Sequence, residues 1–314
     1  MDGYSSDNLP VTSGIPQGTM LGPLLFLCYI NDLPECVSCN IRLYADDVLL
    51  YNIIESEKDC LQLQSDLNAL EHWEKTWQMK FNTLKCQYIF YGNKWTPIQK
   101  VYTIHGEPLQ QVSSIKYLGV IIDKRITWNE HTDRLVHKAN KVGGFLYRNF
   151  KNCPIHVKKK CYETLVRPIL EYASTVWSPY YIKNINRIEA VQRRMARFVF
   201  NDYDRTTSVT ELLRQLSWPS LQQRRLCDRT LMIFKIIHNL VDIPVEPPNF
   251  IPNTIFTRGN TQKFIQLQSN IDCYAKSFFP EAIKIWNSLP QLMIDCNDAE
   301  SFKHYICNYF DCIS

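Results

Sequence analysis

Ile41-Arg42-Leu43-Tyr44-Ala45-Asp46-Asp47-Val48-Leu49-Leu50-Tyr51 decides how the rest of the chain is read. Strand-favouring apolar residues flank two adjacent carboxylates, which predicts strand, tight turn, strand. On a straight strand neighbouring side chains face opposite ways. A turn at Ala45-Asp46-Asp47 instead brings both carboxylates to one hairpin tip. Clustered carboxylate oxygens suit hard divalent cations, which keep waters and take substrate phosphates as further ligands. A bare Asp-Asp pair is more often a solvated turn. The flanking sequence has to choose between the two.

Upstream, Gly14, Pro16 and Gly18 enforce an irregular loop. Gly22-Pro23 then precedes an apolar run, Leu24 to Ile30, which predicts a buried helix ending at Asn31-Asp32-Leu33-Pro34. Downstream, Ser56 and Asp59 form an arrangement close to a capping box at the start of a helix reaching about Met79. Cys60, Leu63, Leu67, Leu70, Trp73 and Trp77 recur at spacings of three and four, a single apolar stripe that reads as core. The turn Phe81-Asn82-Thr83-Leu84-Lys85-Cys86 leads into a strand over residues 87–91. Two more strands are predicted, Val101 to Ile104 and Ile115 to Ile122. The first enters a His105-Gly106-Glu107 turn, and the second carries Tyr117-Leu118-Gly119, whose glycine also suits a bulge in a buried strand.

From Trp128 the apolar period changes from two to about 3.6, which marks a domain boundary. Leu135, Ala139, Val142 and Leu146 line one helix. Val157, Cys161, Leu165 and Ile169 line the next, which Pro168 kinks or breaks. Asn184 caps a third, with Ile185, Ile188, Val191, Met195 and Phe198 inward. Its arginines, Arg187, Arg193, Arg194 and Arg197, fall mainly on the remaining faces, and Arg224, Arg225 and Arg229 continue the basic character. Pro244, Pro247, Pro248 and Pro252 mark a linker, and two short helices are expected beyond it. The predicted fold class is α+β, with units at 1–127, 128–240 and 241–314.

Charge is distributed unevenly. The net of +4 conceals 20 Lys and Arg against 8 Asp and Glu between His131 and Lys235, hence +12 there and −8 elsewhere. Such a basic section is the footprint expected for a polyanion partner. Twelve cysteines raise the question of zinc, yet Cys36 and Cys39 form the only pair at ligand spacing, and Cys296, His304, Cys307 and Cys312 fit no zinc pattern. Reduced thiols are the expectation. The first residues lack the basic and apolar regions of a signal peptide, and the longest apolar run is too short for a bilayer. An intracellular protein of the nucleus or cytoplasm, with no membrane partner, is expected.

Tyr44-Ala45-Asp46-Asp47, preceded by Ser13-Gly14-Ile15-Pro16-Gln17-Gly18 and followed by Tyr117-Leu118-Gly119, resembles the reverse transcriptases of non-LTR retrotransposons. Order and spacing of the three motifs agree with that family's palm, and the later segments resemble its downstream region. The resemblance implies a partial polymerase palm, an antiparallel sheet with helices, followed by a helical thumb and a small C-terminal helical segment. It implies RNA-templated DNA synthesis with Mg²⁺ or Mn²⁺ held by Asp46 and Asp47, and Tyr44 near the primer end. Pro16, Gln17 and Gly18 would lie at the nascent base pair, with Asn82 and Lys85 beside the incoming deoxynucleotide. Lys85 would also be a proton donor to pyrophosphate. Tyr117, Leu118 and Gly119 would grip the primer terminus. Arg187, Arg193, Arg194 and Arg197 would track the phosphates of an RNA template and DNA primer duplex. One departure stands out: the family's palm takes another metal-binding Asp from a strand before the Ser-Gly-Ile-Pro-Gln-Gly segment, and neither Asp2 nor Asp7 has that apolar context. The expectation is therefore a chain truncated at its start and inactive or weak by itself, or a non-catalytic nucleic-acid-binding remnant.

Overall fold

The computed structural model describes residues 18–92, 98, 100–243, 252, 260–266 and 268–313. Most of the Ser13–Gly18 motif, including Pro16 and Gln17, lies outside these residues, as do Pro244, Pro247 and Pro248. The chain divides into two compact units, residues 1–112 and 113–314.

The first unit opens with α1 (Gly22–Ile30) and a 3-10 turn (Leu33–Cys36), followed by the hairpin β1 (Asn40–Tyr44) and β2 (Asp47–Tyr51). Helix α2 (Glu57–Trp77) comes next, then four two-residue strands: β3 (Gln87–Tyr88), β4 (Thr103–Ile104), β5 (Glu107–Pro108) and β6 (Gln110–Gln111). The capping box at α2 forms as the sequence predicts, Asp59 Oδ2 accepting the Ser56 N–H at 2.7 Å. The predicted stripe is the inner face of α2: Leu67, Leu70 and Trp73 are buried against Ile30, Leu33, Tyr102 and Ile104, and Cys60 is buried at the start of the same face. Each large apolar side chain buried in this way contributes about 1.5–3 kcal/mol.

Two expectations fail here. Helix α1 is not buried: Leu24, Leu25 and Leu27 are more than half exposed, as are Met20 and Leu21 just before it, and within the helix only Ile30 is enclosed. Its sequence is apolar all round, whereas a single side packs on the core of this unit. The sheet, too, is not one antiparallel palm sheet. Among the described residues it consists of four separate two-stranded ladders, of which β3–β6 is parallel.

The second unit begins with the hairpin β7 (Ser114–Tyr117) and β8 (Val120–Asp123), so the segment predicted as one strand is folded in two. Leu118 and Gly119 form the connection, both with positive φ (44° and 86°), the combination a tight two-residue hairpin loop needs. This hairpin belongs with the helices after it and not with the strands before it. Val120 enters the core beside Trp128 and Leu135 of the next segment, and the Ile121 N–H donates to His131 Nδ1 at 3.2 Å. The compact unit thus starts ahead of the change in period at Trp128.

Helix α3 (Asn129–Phe150) buries Leu135, Ala139 and Leu146 as predicted. The next segment is broken into α4 (Ile155–Cys161), a π-helical turn (Tyr162–Val166) and α5 (Arg167–Glu171). Pro168 has no N–H to continue the i→i−4 ladder, and the Arg167 N–H reaches back five residues to the Tyr162 carbonyl. The fully buried positions are Lys158, Tyr162, Val166 and Leu170, one residue on from the predicted row from its first member onward, while Leu165 stands half exposed. Helix α6 (Ile182–Phe200) buries Ile185, Ile188, Val191, Met195 and Phe198 as expected. Asn184 is not its cap; it lies inside the helix, buried, and donates to Asn129 Oδ1 at 2.8 Å. Helices α7 (Val209–Leu216) and α8 (Leu221–Ile237) follow. The tail forms α9 (Asp272–Ala275), α10 (Phe278–Ser288), α11 (Gln291–Ile294) and α12 (Ala299–Ile313). Phe234 of α8, Trp286 of α10 and Phe302 of α12 share one core, which ties the tail to this unit. Among the described residues no helix is long and apolar enough to cross a membrane.

Candidate active site

The β1–β2 hairpin places the carboxylate pair at its tip. Tyr44 pairs with Asp47, Leu43 with Val48 and Ile41 with Leu50, leaving Ala45 and Asp46 as a two-residue loop. Side chains directly opposed across a ladder share a face. Tyr44 and Asp47 therefore sit on one face with Arg42, Leu49 and Tyr51, where the Arg42 guanidinium lies 5.9 Å from the Tyr51 ring centre. Ile41, Leu43 and Leu50 on the opposite face pack on the core. Ala45 takes φ 50°, a left-handed conformation costing a side-chain-bearing residue about 1 kcal/mol. Asp46, Asp47 and Tyr44 are exposed, and no described side chain or backbone group hydrogen-bonds either carboxylate. Among the described residues no cluster of three or more His, Cys, Asp or Glu side chains is placed to hold a metal. Two open carboxylates at one tip still fit a hard divalent cation that completes its shell with water and phosphate oxygens.

Two buried carboxylates on α2 hold the loops around this hairpin, and neither was picked out in the sequence. Asp66, 4% exposed, accepts from the backbone N–H groups of Cys39 (2.7 Å) and Ser38 (3.2 Å) and from the Ser38 hydroxyl, fixing the entry to β1. Despite its burial, these donors hold the Asp66 carboxyl below the usual carboxylate range. Burial, followed by the bond to Asp66, pushes the Cys39 thiol up to about 12, so it stays protonated. One turn pair further along, Glu74 accepts from the Phe81 N–H at 3.2 Å and meets His105 Nε2 at 3.0 Å. It anchors the segment entering the Asn82–Lys85 turn. Asn82 and Lys85 themselves are exposed, and the Asn82 carbonyl accepts the Lys85 N–H at 2.9 Å. A signal existed: Asp66 and Glu74 fall at helical spacing on the face that carries Leu63, Leu67, Leu70 and Trp73, where a carboxylate has no reason to be unless it has partners.

Gly18 is exposed with φ 83°, the one member of its motif among the described residues. Tyr117, Leu118 and Gly119 stand in the second unit, at the tip of the β7–β8 hairpin. Tyr172 steadies that tip: its hydroxyl donates to the Leu118 carbonyl at 3.0 Å, and a Cβ at Gly119 would lie 3.0 Å from its ring.

The four arginines of α6 have different surroundings. Helices α3 and α6 run parallel along a seam on which Arg187 pairs with Asp133 and Arg194 donates to Asn140 Oδ1 at 2.7 Å. Arg197 donates to the carbonyls of Asp202, Asp204 and Thr207, closing the loop after α6. Arg193 and Arg194 are exposed, and Arg187 and Arg197 half-buried. The basic character read into α8 is internal. Arg225 and Arg229 are buried, Arg229 pairing with Glu281, and Arg224 pairs with Glu171.

Residues 1–122 match the reverse transcriptase (RNA-dependent DNA polymerase) family. More narrowly, the chain is related to the reverse transcriptases of non-LTR retrotransposons. It is 26% identical over 278 residues to the RNA-directed DNA polymerase from mobile element jockey of Drosophila melanogaster, an alignment spanning 83% of this chain and 28% of that protein. The jockey polymerase of Drosophila funebris is 30% identical over 212 residues, 62% of this chain and 23% of that protein. An alignment of 278 residues extends beyond the family match into the helical unit. The chain spans less than a third of the length of these relatives.

Proposed function

We propose that this chain is the part of an RNA-directed DNA polymerase that carries the metal-binding hairpin of the palm and a helical thumb. The observation that supports the reading most is the Tyr44–Asp47 hairpin itself, with two open carboxylates and an exposed tyrosine at its tip, on a hairpin whose entry Asp66 fixes. Asp46 and Asp47 would hold Mg²⁺ or Mn²⁺, which when bound supplies charge neutralisation at the phosphates and polarises the primer hydroxyl. Tyr44, on the face of Asp47, positions the primer end. Gly18, with Pro16 and Gln17, allows close approach of the nascent base pair. Asn82 and Lys85 stand in one turn for the incoming deoxynucleotide, with the Lys85 ammonium able to give a proton to departing pyrophosphate. Tyr117, Leu118 and Gly119 form the primer-gripping tip. Arg193 and Arg194 contact duplex phosphates, while Arg187 and Arg197 support them through the bonds they already make.

A two-carboxylate set leaves the cation weakly fixed, and small misplacements are costly to catalysis. Extension by this chain alone is accordingly expected to be slow. The same observation favours a second reading, a nucleic-acid-binding remnant without chemistry. Primer extension on an RNA template separates the two. A family-like segment bearing a strand Asp, fused ahead of Met1, should raise incorporation, with Mg²⁺ or Mn²⁺ required and Asp46→Asn abolishing it. Charge reversal of Arg193 and Arg194 should weaken RNA–DNA duplex binding and flatten its salt dependence. A folded fusion that binds primed template yet stays inert with either metal favours the remnant. Duplex affinity indifferent to both arginines removes the thumb assignment.

A further inference from the structure

Between Arg134 and Tyr162 the chain carries eight Lys and Arg and no Asp or Glu. On α3 these charges are in register. Arg134, Lys138, Lys141 and Arg148 are all exposed, and their spacings place them in one row with Phe145 between the last two. Steps of four, three, four and three residues keep a row on one helical face, here over about 21 Å of axis. None of the four cations forms an ion pair among the described residues, not even Arg134 with Glu130 one turn before it, and Asp133, on the side toward α6, pairs with Arg187. Phe145 is 50% exposed, and its ring is braced by Phe150, 6.5 Å away between centres. A phenyl ring held at half exposure inside a row of free cations is a poor fit to a duplex, which offers phosphates outward and hides its base faces. It fits an unpaired strand, whose phosphates follow the cations while a base stacks on the ring.

We propose that the outer face of α3, with Arg134, Lys138, Lys141 and Arg148 as a phosphate rail and Phe145 as a stacking ring, binds single-stranded nucleic acid without sequence preference. The inference rests on the polymerase reading given above and adds where an unpaired strand is held, separate from the arginines of α6.

Anisotropy titrations of the full chain with labelled oligo-dT, oligo-U and a blunt RNA–DNA duplex, across a salt series, test it. Phe145→Leu keeps the apolar contact with Phe150 but removes the ring face. It should lower single-strand affinity about five- to tenfold while duplex affinity changes less than about twofold. Phe145→Trp should restore single-strand binding. Replacing Lys138 and Lys141 together by Ala should reduce the slope of log affinity against log salt by about 1.4 for a single strand. Comparable loss with oligo-dT and oligo-U supports recognition of phosphate and base face; loss with one alone points to a sugar-specific site and overturns the proposal as stated. Equal loss for single strand and duplex in Phe145→Leu, no loss in either, or no single-strand binding at low salt also overturns it. Duplex binding that ignores Arg193 and Arg194 while the α3 variants behave as expected would sink only the earlier thumb assignment.

Discussion

His131 makes the hairpin that carries Tyr117-Leu118-Gly119 sensitive to acid. The side chain is 1% exposed, its Nδ1 accepts the Ile121 N–H, and the Trp177 ring lies 4.5 Å away between centres. Burial, with a smaller contribution from Arg134, pulls its pKa from 6.5 down to about 4. In the unfolded chain the ring protonates near pH 6.5, whereas the folded chain keeps it neutral to about pH 4. Across that window the unfolded state binds the extra proton, so stability is full above about pH 6.5 and falls as the pH drops. Each pH unit costs about 1.4 kcal/mol, hence about 2 kcal/mol between pH 6.5 and 5. Protonation also turns Nδ1 into a donor facing the Ile121 N–H, so the loss is local as well as global. His131→Asn keeps an acceptor near Nδ1 and cannot titrate. Urea unfolding at pH 7 and 5 should show wild type losing about 2 kcal/mol more than the variant on acidification. Exchange of the Ile121 amide, corrected for its intrinsic rate, should accelerate with acid in wild type alone. Identical pH dependence in the two proteins would refute the argument, whatever their absolute stabilities.

Gly119→Ala forces a side chain into φ 86° and against Tyr172, and should cost about 1–2 kcal/mol by chemical denaturation with an unchanged denaturant slope. The companion change Tyr172→Phe removes the Oη bond to Leu118 without relieving the backbone conformation, so it should not rescue the alanine variant. Asp66→Asn can keep the Ser38 and Cys39 N–H groups on its single oxygen, but it removes the charge they bond to and turns an amide donor toward the Gln62 Nε2 donor, and should cost about 1–2 kcal/mol. Alkylation of Cys39 in the folded protein should accelerate in that variant, because the loop entering β1 opens more often. An unchanged alkylation rate would show that Asp66 does not hold the loop.

Much of this fold was legible because its strongest signals are local. The stripe from Cys60 to Trp73 and the inward row of α6 follow from a single period. The Ser56–Asp59 box and the Tyr44–Asp47 turn each lie within a few residues. What escaped depends on partners distant in sequence. Nothing local says that α1 meets the core on one side only, that Asn184 bonds Asn129, or that Arg225 and Arg229 turn inward, Arg229 to meet Glu281 of the tail. The buried row runs 158, 162, 166, 170 and not 157, 161, 165, 169, because Lys158 and Tyr162 turn inward already ahead of the π-helical turn, and nothing in the apolar pattern marks a lysine as the inward position. In the site, the exposed acids were readable from their context, while the buried acids Asp66 and Glu74, which hold the entry to β1 and the approach to the Asn82–Lys85 turn, were hidden by an otherwise apolar face.

Those two acids also make α2 a ruler. They are eight residues apart, about 12 Å along the axis, and one holds the approach to the carboxylate hairpin while the other holds the approach to the Asn82–Lys85 turn. Inserting one residue between them would swing one carboxylate about 100° around the helix relative to the other, so that both could not keep their loops. An added residue at the exposed end of the helix would leave both in place. The interior of α2 is therefore fixed in length while its surface is free to change in composition, and length variation in this unit should accumulate in the loops that the two carboxylates do not touch.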